Sequence, residues 1–283
     1  MATQTNSSIT HERRIAVRQG LQAANGSGWL AGFDKLFLKE LGDWFATRRW
    51  LWQSLIWLSL VNGFTAFMLY LLPTLDQAGM EASGDQPLEI VALSMFFSTI
   101  TSAGAIAMVI LVQDEIIQEK QSGTAAWILS KPVARPAFIL SKWLANVIGA
   151  LIFMVVLPGV ITLVEMSLAG LPLPGSLPFL AGAAVTGLTL IFYASLVILL
   201  GVLFEQRGPL LGLAFGVMLG GMVAGSFIPQ VNYFLPLNMG EIALHLSMGQ
   251  PQPEIAIWQI ITTAVWSIVF VALATWRFQK AEL

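Results

Sequence analysis

The chain has 283 residues, of which 56% are hydrophobic and only 11% are charged, where ordinary soluble domains carry about 25% charged residues. With a mean hydropathy of +0.75, there is more apolar surface than a soluble core of this size can hide, so composition excludes a soluble globular protein and predicts a polytopic membrane protein. The formal net charge of −2 gives no bulk signal for nucleic acid, and the lack of cysteine excludes disulfides, thiolate metal sites and cysteine nucleophiles.

Residues 1–28 are polar and carry Arg13, Arg14 and Arg18 with no apolar stretch behind them. They read as a flexible tail rather than a secretory signal. Asn25 to Gly28 reads as a joint. Residues 29–283 then form one membrane domain. Within 29–49, Leu30, Phe33, Phe37, Leu41 and Trp44 recur every three or four residues, with Lys35, Lys39, Glu40 and Asp43 mostly between them. That pattern predicts an amphipathic helix lying in the membrane interface, with Arg48 and Arg49 facing anionic head groups.

A helix needs about 20 apolar residues to cross a bilayer core. Six stretches reach that length without a charged residue: 50–72, 90–112, 143–164, 178–204, 209–229 and 255–276. At this length only helices satisfy every backbone group in lipid. The predicted fold is therefore all-α with six transmembrane helices, and sequence neighbours run antiparallel.

Orientation follows from the basic residues. All fourteen lysines and arginines fall in 1–49, 113–142, 205–208 and 277–283. The alternate loops hold none, but carry Asp76, Glu81, Asp85, Glu89, Glu165, Glu241 and Glu254. The positive-inside rule then places both termini in the cytoplasm. Trp44, Trp50, Trp143 and Trp276 fall at the expected inner interface and Trp258 near the outer one.

The segment 113–142 is too long for a hairpin and too short for a domain. Asp114 to Lys120 extend the second span into the cytosol. Gly123 breaks that helix, and Thr124 is expected to cap a short one after it. Trp127, Ile128 and Leu129 give the short helix a bulky apolar face. Pro132 ends it, and Pro136 suits the first turn of the next helix. The result is a compact elbow displayed below the membrane, with Glu119 and Arg135 expected as charged contacts at its edges. Its plainer alternative is a loop packed on its own bundle.

These residues carry a resemblance. A glutamate, then Ser122-Gly123-Thr124, then Leu129-Ser130-Lys131-Pro132-Val133-Ala134-Arg135, then Lys142, is similar to the permeases of ATP-binding-cassette transporters of type 2, the exporter class. Glu115 or Glu119 fills the acidic place, with Glu119 preferred. The order of elements over about 29–283 follows the same family. The resemblance implies that the elbow is a coupling helix seated on a separate P-loop ATPase. Glu115, Glu119, Gly123, Thr124, Trp127, Pro132 and Arg135 would then make up the coupling set. It further implies two ATPases and a second permease copy or paralogue, in the cell membrane of a prokaryote. The chain has no Gly-Lys dipeptide, so it carries no P-loop of its own. It is expected to bind no cofactor, ATP and Mg belonging to the partner, and to be no enzyme.

In the fifth span Gly208, Gly212, Gly216 and Gly220 recur every four residues. A stripe of this kind lets helices approach closely, either inside one subunit or across a dimer. Residues 230–250 are outside but apolar. Tyr233-Phe-Leu-Pro-Leu and Ile242-Ala-Leu-His245-Leu predict short helical pieces, and the resemblance implies that they re-enter the outer leaflet. His245 reads as a packing or surface residue. Glu165 reads as a solvated loop acid, and Glu205 as the local ion partner of Arg207. No span contains an ionisable residue within its apolar run, which argues against an ion-coupled carrier or an intramembrane enzyme. A secondary carrier or channel without ATPase, and a membrane scaffold for a cytosolic complex, are the alternative functions.

Overall fold

The computed structural model describes residues 28–77, 86–131 and 133–280. Residues 1–27 of the predicted tail, Glu81, Asp85 and Pro132 lie outside the described residues. Among those described, every regular element is helical. A short α1 (Phe33–Ala46) precedes α2 (Arg49–Leu75). Then come α3 (Leu88–Gln121), the small α4 (Thr124–Leu129), α5 (Arg135–Leu168) and α6 (Ser176–Leu203). The chain closes with α7 (Arg207–Phe227), a 3-10 turn (Pro229–Tyr233), α8 (Met239–Met248) and α9 (Ala256–Gln279). Six of these helices, α2, α3, α5, α6, α7 and α9, are long and apolar enough to cross a membrane. They match the six predicted stretches in order.

α6 is the central post. It is apolar on all sides, as a fully enclosed helix must be, and its most apolar stretch is 89% buried. α3, α5, α8 and α9 pack around it. The exposed sides of α2, α7 and α9 carry Leu, Ile, Val, Phe and Trp, the surface that lipid tails require.

Three spans are not regular. α2 contains π-helical turns at Leu58–Asn62 and Phe67–Leu71, α3 one at Ile100–Gly104, and α5 one at Leu151–Val156. Such wide turns are rare in helices. α6, α7 and α9 are α-helical throughout.

α1 is amphipathic, as its sequence predicts, but it does not lie free. It packs along the start of α5. Trp44 is buried and stacks on Phe153 with ring centroids 5.9 Å apart. Gly149 makes this possible, because a Cβ there would collide with the Trp44 indole. Glu40, expected on the polar side, is buried against α5. The corner between α1 and α2 is made by Arg48, whose φ is +59°.

At the far end from the elbow, the two helical pieces predicted in 230–250 are both present. α8 lies against α3 and α6 almost backbone to backbone. A Cβ on Gly240 would sit 2.7 Å from Thr101 Oγ1, and one on Gly182 would sit 2.6 Å from the Ala243 carbonyl. Gln259 Nε2 donates to the carbonyls of Asn232 at 2.9 Å and Leu235 at 2.7 Å, tying the intervening chain to α9. His245 is a local packing group, as expected, with Nδ1 2.8 Å from the Pro251 carbonyl. Glu165 is not a loop acid: it lies in the last turn of α5, 3.4 Å from Asn62 Nδ2 of α2.

Candidate functional site

The elbow is built as the sequence predicts at its corner. α3 runs on through Gln113 to Gln121 because residues 114–121 form an amphipathic turn pair, with Ile116 and Ile117 buried and the polar residues around them. Gly123 turns the chain with φ +72°, a conformation that costs a residue with a Cβ and is free for glycine. Thr124 is not the cap. It opens α4, and the cap position is Gly123. The Ser122 hydroxyl instead sits 2.8 Å from the Thr124 hydroxyl and accepts the Thr124 N–H at 3.4 Å.

α4 has two faces. Ala125 and Ile128 are buried, and Leu129 packs against the core. Trp127 points the other way and is 61% exposed. Lys131 Nζ lies 3.6 Å from the centre of its ring, a cation–π contact that keeps the indole upright at the surface. The exposed apolar knob is therefore Trp127 alone, smaller than the expected face of Trp127, Ile128 and Leu129.

The charges flanking the elbow turn inward. Lys142 of α5 is buried, its side chain 3% exposed, and it pairs with Glu119 at 2.8 Å, Glu40 at 3.1 Å and Glu115 at 3.6 Å. Arg49, at the start of α2, holds the other oxygen of Glu115 at 3.0 Å. Lys39 joins Glu40 at 3.1 Å and Asp43 at 3.6 Å. Partial burial pushes the Lys39 ammonium toward neutrality, and the Glu40 carboxylate outweighs it, so the lysine is held above its ordinary value. Charges removed from water are tolerated only when paired and hydrogen-bonded. The cluster therefore binds α1, α2, α3 and α5 into one unit.

Two further attachments complete the base. Lys120 Nζ donates to the carbonyls of Gly201, Val202 and Phe204 at 3.4, 3.2 and 3.1 Å, capping the end of α6. Gln121 donates to the Glu205 carbonyl at 2.7 Å. Arg207 pairs with Asp114 at 2.6 Å, not with Glu205 as its sequence neighbourhood suggests. On the exit side, Arg135 Nη1 donates to the last carbonyls of α9, Phe278 at 3.4 Å and Gln279 at 2.7 Å. The expectation that Glu119 and Arg135 stand as outward charges at the edges of the elbow is thus corrected: both hold the elbow to its own bundle. Pro132 lies outside the described residues. Sequence reasoning missed Glu40, Arg49, Asp114 and Arg207 as members of this base.

Among the described residues no group of three or more His, Asp or Glu is placed to hold a metal ion. The cluster is interleaved with lysine and arginine, so its chemistry is mechanical: it transmits the position of the elbow to four helices. Gly208, Gly212, Gly216 and Gly220 all face open space, with nothing in the chain within 4 Å of a Cβ built on any of them. That removes packing inside one subunit as the reason for the stripe.

A family model described as "Protein of unknown function (DUF2705)" matches residues 62–283. The chain is also 22% identical over 250 residues to a protein of Bacillus subtilis (strain 168) described as "Uncharacterized transmembrane protein YxlG". That match covers 83% of this chain and 96% of the relative. Six apolar helices of spanning length and a relative described as transmembrane make this chain a multi-pass membrane protein.

Proposed function

The chain belongs to the DUF2705 family, and from that premise we propose that it is the transmembrane permease subunit of an ATP-driven exporter of the ATP-binding-cassette type 2 class. It forms the passage, and a separate P-loop ATPase in two copies binds Mg and ATP and hydrolyses it. The elbow end of the bundle faces the cytoplasm, because every lysine and arginine of the chain falls in the segments assigned to that side. The membrane is the cell membrane of a prokaryote, a reading the Bacillus relative supports.

The observation that carries the proposal is Trp127. It is a large aromatic side chain, exposed at the tip of an elbow whose other charged groups are committed to bracing it from within. Exposed aromatic anchors on a rigid support are what energetic centres of interfaces look like. A passive loop has no need of four helices tied behind it. The test is co-purification: the tagged chain, expressed with its genomic neighbours, is expected to bring down a P-loop ATPase in near-equal amounts. Transport activity of the purified chain without any ATPase would overturn the proposal in favour of a secondary carrier.

A further inference from the structure

A second feature lies on the lipid-facing side of the bundle, away from the elbow tip. α5, α6 and α9 enclose an apolar groove of about 450 Å³. Leu140 and Trp143 line one wall, Leu188 the floor and Ile268 the other wall, while Thr275 and Trp29 stand among its lining residues. The polar atoms along it are already used. Ser267 Oγ donates to the Thr263 carbonyl at 2.7 Å, Thr275 Oγ1 to the Ala272 carbonyl at 2.8 Å, and Trp143 Nε1 to Ser195 Oγ at 2.9 Å. What remains is hydrocarbon surface, in the size range of pockets that hold small molecules.

Trp29 is brought to this groove by a short structured lead-in. Ala31 N–H donates to the Gly28 carbonyl at 3.0 Å, and the Ala31 carbonyl accepts the Ala134 N–H at 2.9 Å. Gly32, at φ +79°, lets the chain pass Val133, whose Cγ2 would stand 3.1 Å from a Cβ. The indole is 60% exposed, so it borders the groove without filling it.

Cations stand at the same end. Gln279 lies four residues beyond Thr275, on the same face of α9. Its carbonyl holds the Arg135 guanidinium at 2.7 Å. Lys280 follows, its ammonium 4.0 Å from the centre of the Trp276 ring. Tryptophan beside lysine and arginine at the end of a spanning helix marks the head-group level of a bilayer. The groove thus runs from a cationic mouth into an apolar interior.

We infer that this groove takes one acyl chain of an anionic phospholipid, with its phosphate at Arg135 and Lys280. The chain lies along α9 and touches Trp29 and Trp143. The occupant bears on the elbow, because the segment that carries Trp29 is hydrogen-bonded to the elbow's exit at Ala134. The inference rests on the membrane location alone and stands whether or not an ATPase docks at Trp127.

The test is fluorescence of the full chain in phosphatidylcholine vesicles containing brominated-chain phosphatidylglycerol or brominated-chain phosphatidylcholine. The contribution of Trp29 is isolated by difference with Trp29→Phe. Its quenching is expected to saturate at a mole fraction of phosphatidylglycerol about tenfold lower than of phosphatidylcholine, since one or two cations near the surface each favour an anionic lipid. Ala272→Phe, which fills the groove, should abolish saturation. Lys280→Gln, which leaves the groove open, should narrow the preference between the two lipids. Quenching that rises linearly and equally with both lipids in the wild-type chain would show bulk lipid only and overturn the inference. Saturation that survives both variants would overturn it as well.

Discussion

Lys142 Nζ lies 2.8 Å from Glu119 Oε1, joining the helix that leaves the elbow to the helix that reaches it. The two residues frame the whole elbow, so this ion pair closes it at the base as a clasp closes a loop. Glu40 on the same ammonium brings the interfacial helix into the closure.

Lys142→Met should open it. The substitution leaves Glu40, Glu115 and Glu119 without their shared cation in a buried setting. Breaking a buried pair from one side typically costs about 3–5 kcal/mol. The expected result is a markedly lower unfolding midpoint in detergent, with Lys142→Arg recovering part of it. A Lys142→Met chain as stable as wild type would mean that the cluster is water-filled and contributes little.

Trp127→Ala should separate docking from folding. The side chain projects into open surface, so membrane insertion and thermal stability should not move. Loss of a central aromatic anchor costs about 2 kcal/mol, roughly a thirtyfold fall in ATPase affinity. Arg135→Ala should do the reverse. ATPase binding should weaken only mildly, while the end of α9 loses the donor to its last carbonyls. Recovery of bound ATPase on the purified chain, read beside its melting curve, distinguishes the two.

The glycine stripe of α7 gives a third prediction. Leucine at Gly212 and Gly216 meets nothing in its own chain, so the monomer should fold and insert as before. If a second copy packs there, the added side chains force the helices apart, and lipid does not compensate for the lost contact. Loss of the dimer on crosslinking is the expected outcome. Unchanged assembly of the double variant would assign the stripe to lipid.

Orientation is testable with single cysteines, since the native chain has none. Gln250→Cys, at the far end beyond α8, should react with an impermeant thiol reagent in intact cells. Ser122→Cys at the elbow should react only after lysis. The opposite pattern would invert the bundle and remove the elbow from the cytoplasm.

The six spans were legible because each is a charge-free run of bilayer length, a signal that needs no knowledge of neighbours. The corner at Gly123 was legible because a backbone turn is a local event. The inward-facing charges were not. Glu40 looks like an outward residue of an amphipathic helix, and its partner Lys142 is about a hundred positions away. Arg207 was assigned to Glu205 by proximity in sequence, whereas the fold brings Asp114 to it. The only available hint was the crowding of charges beside the ends of apolar runs, where each must find a partner or water. Gly149 is one of 25 glycines, and nothing in its neighbours announces that Trp44 will lie across it. The π turns have no residue signature, because a wide turn is set by packing against other helices.

α3 and α5 each run for 34 residues, about 51 Å at the α-helical rise if straight, whereas the hydrocarbon core of a bilayer is about 30 Å thick. Much of the difference lies beyond the head groups on the elbow side, where the charged turns of α3 and the first turns of α5 are found. The elbow is therefore carried on a pair of stalks, at a stand-off from the membrane surface. A protein bound at its tip works at arm's length, clear of the lipid. A small sideways displacement there becomes a tilt of both stalks about the level of the bilayer, so the geometry converts a push into a rotation.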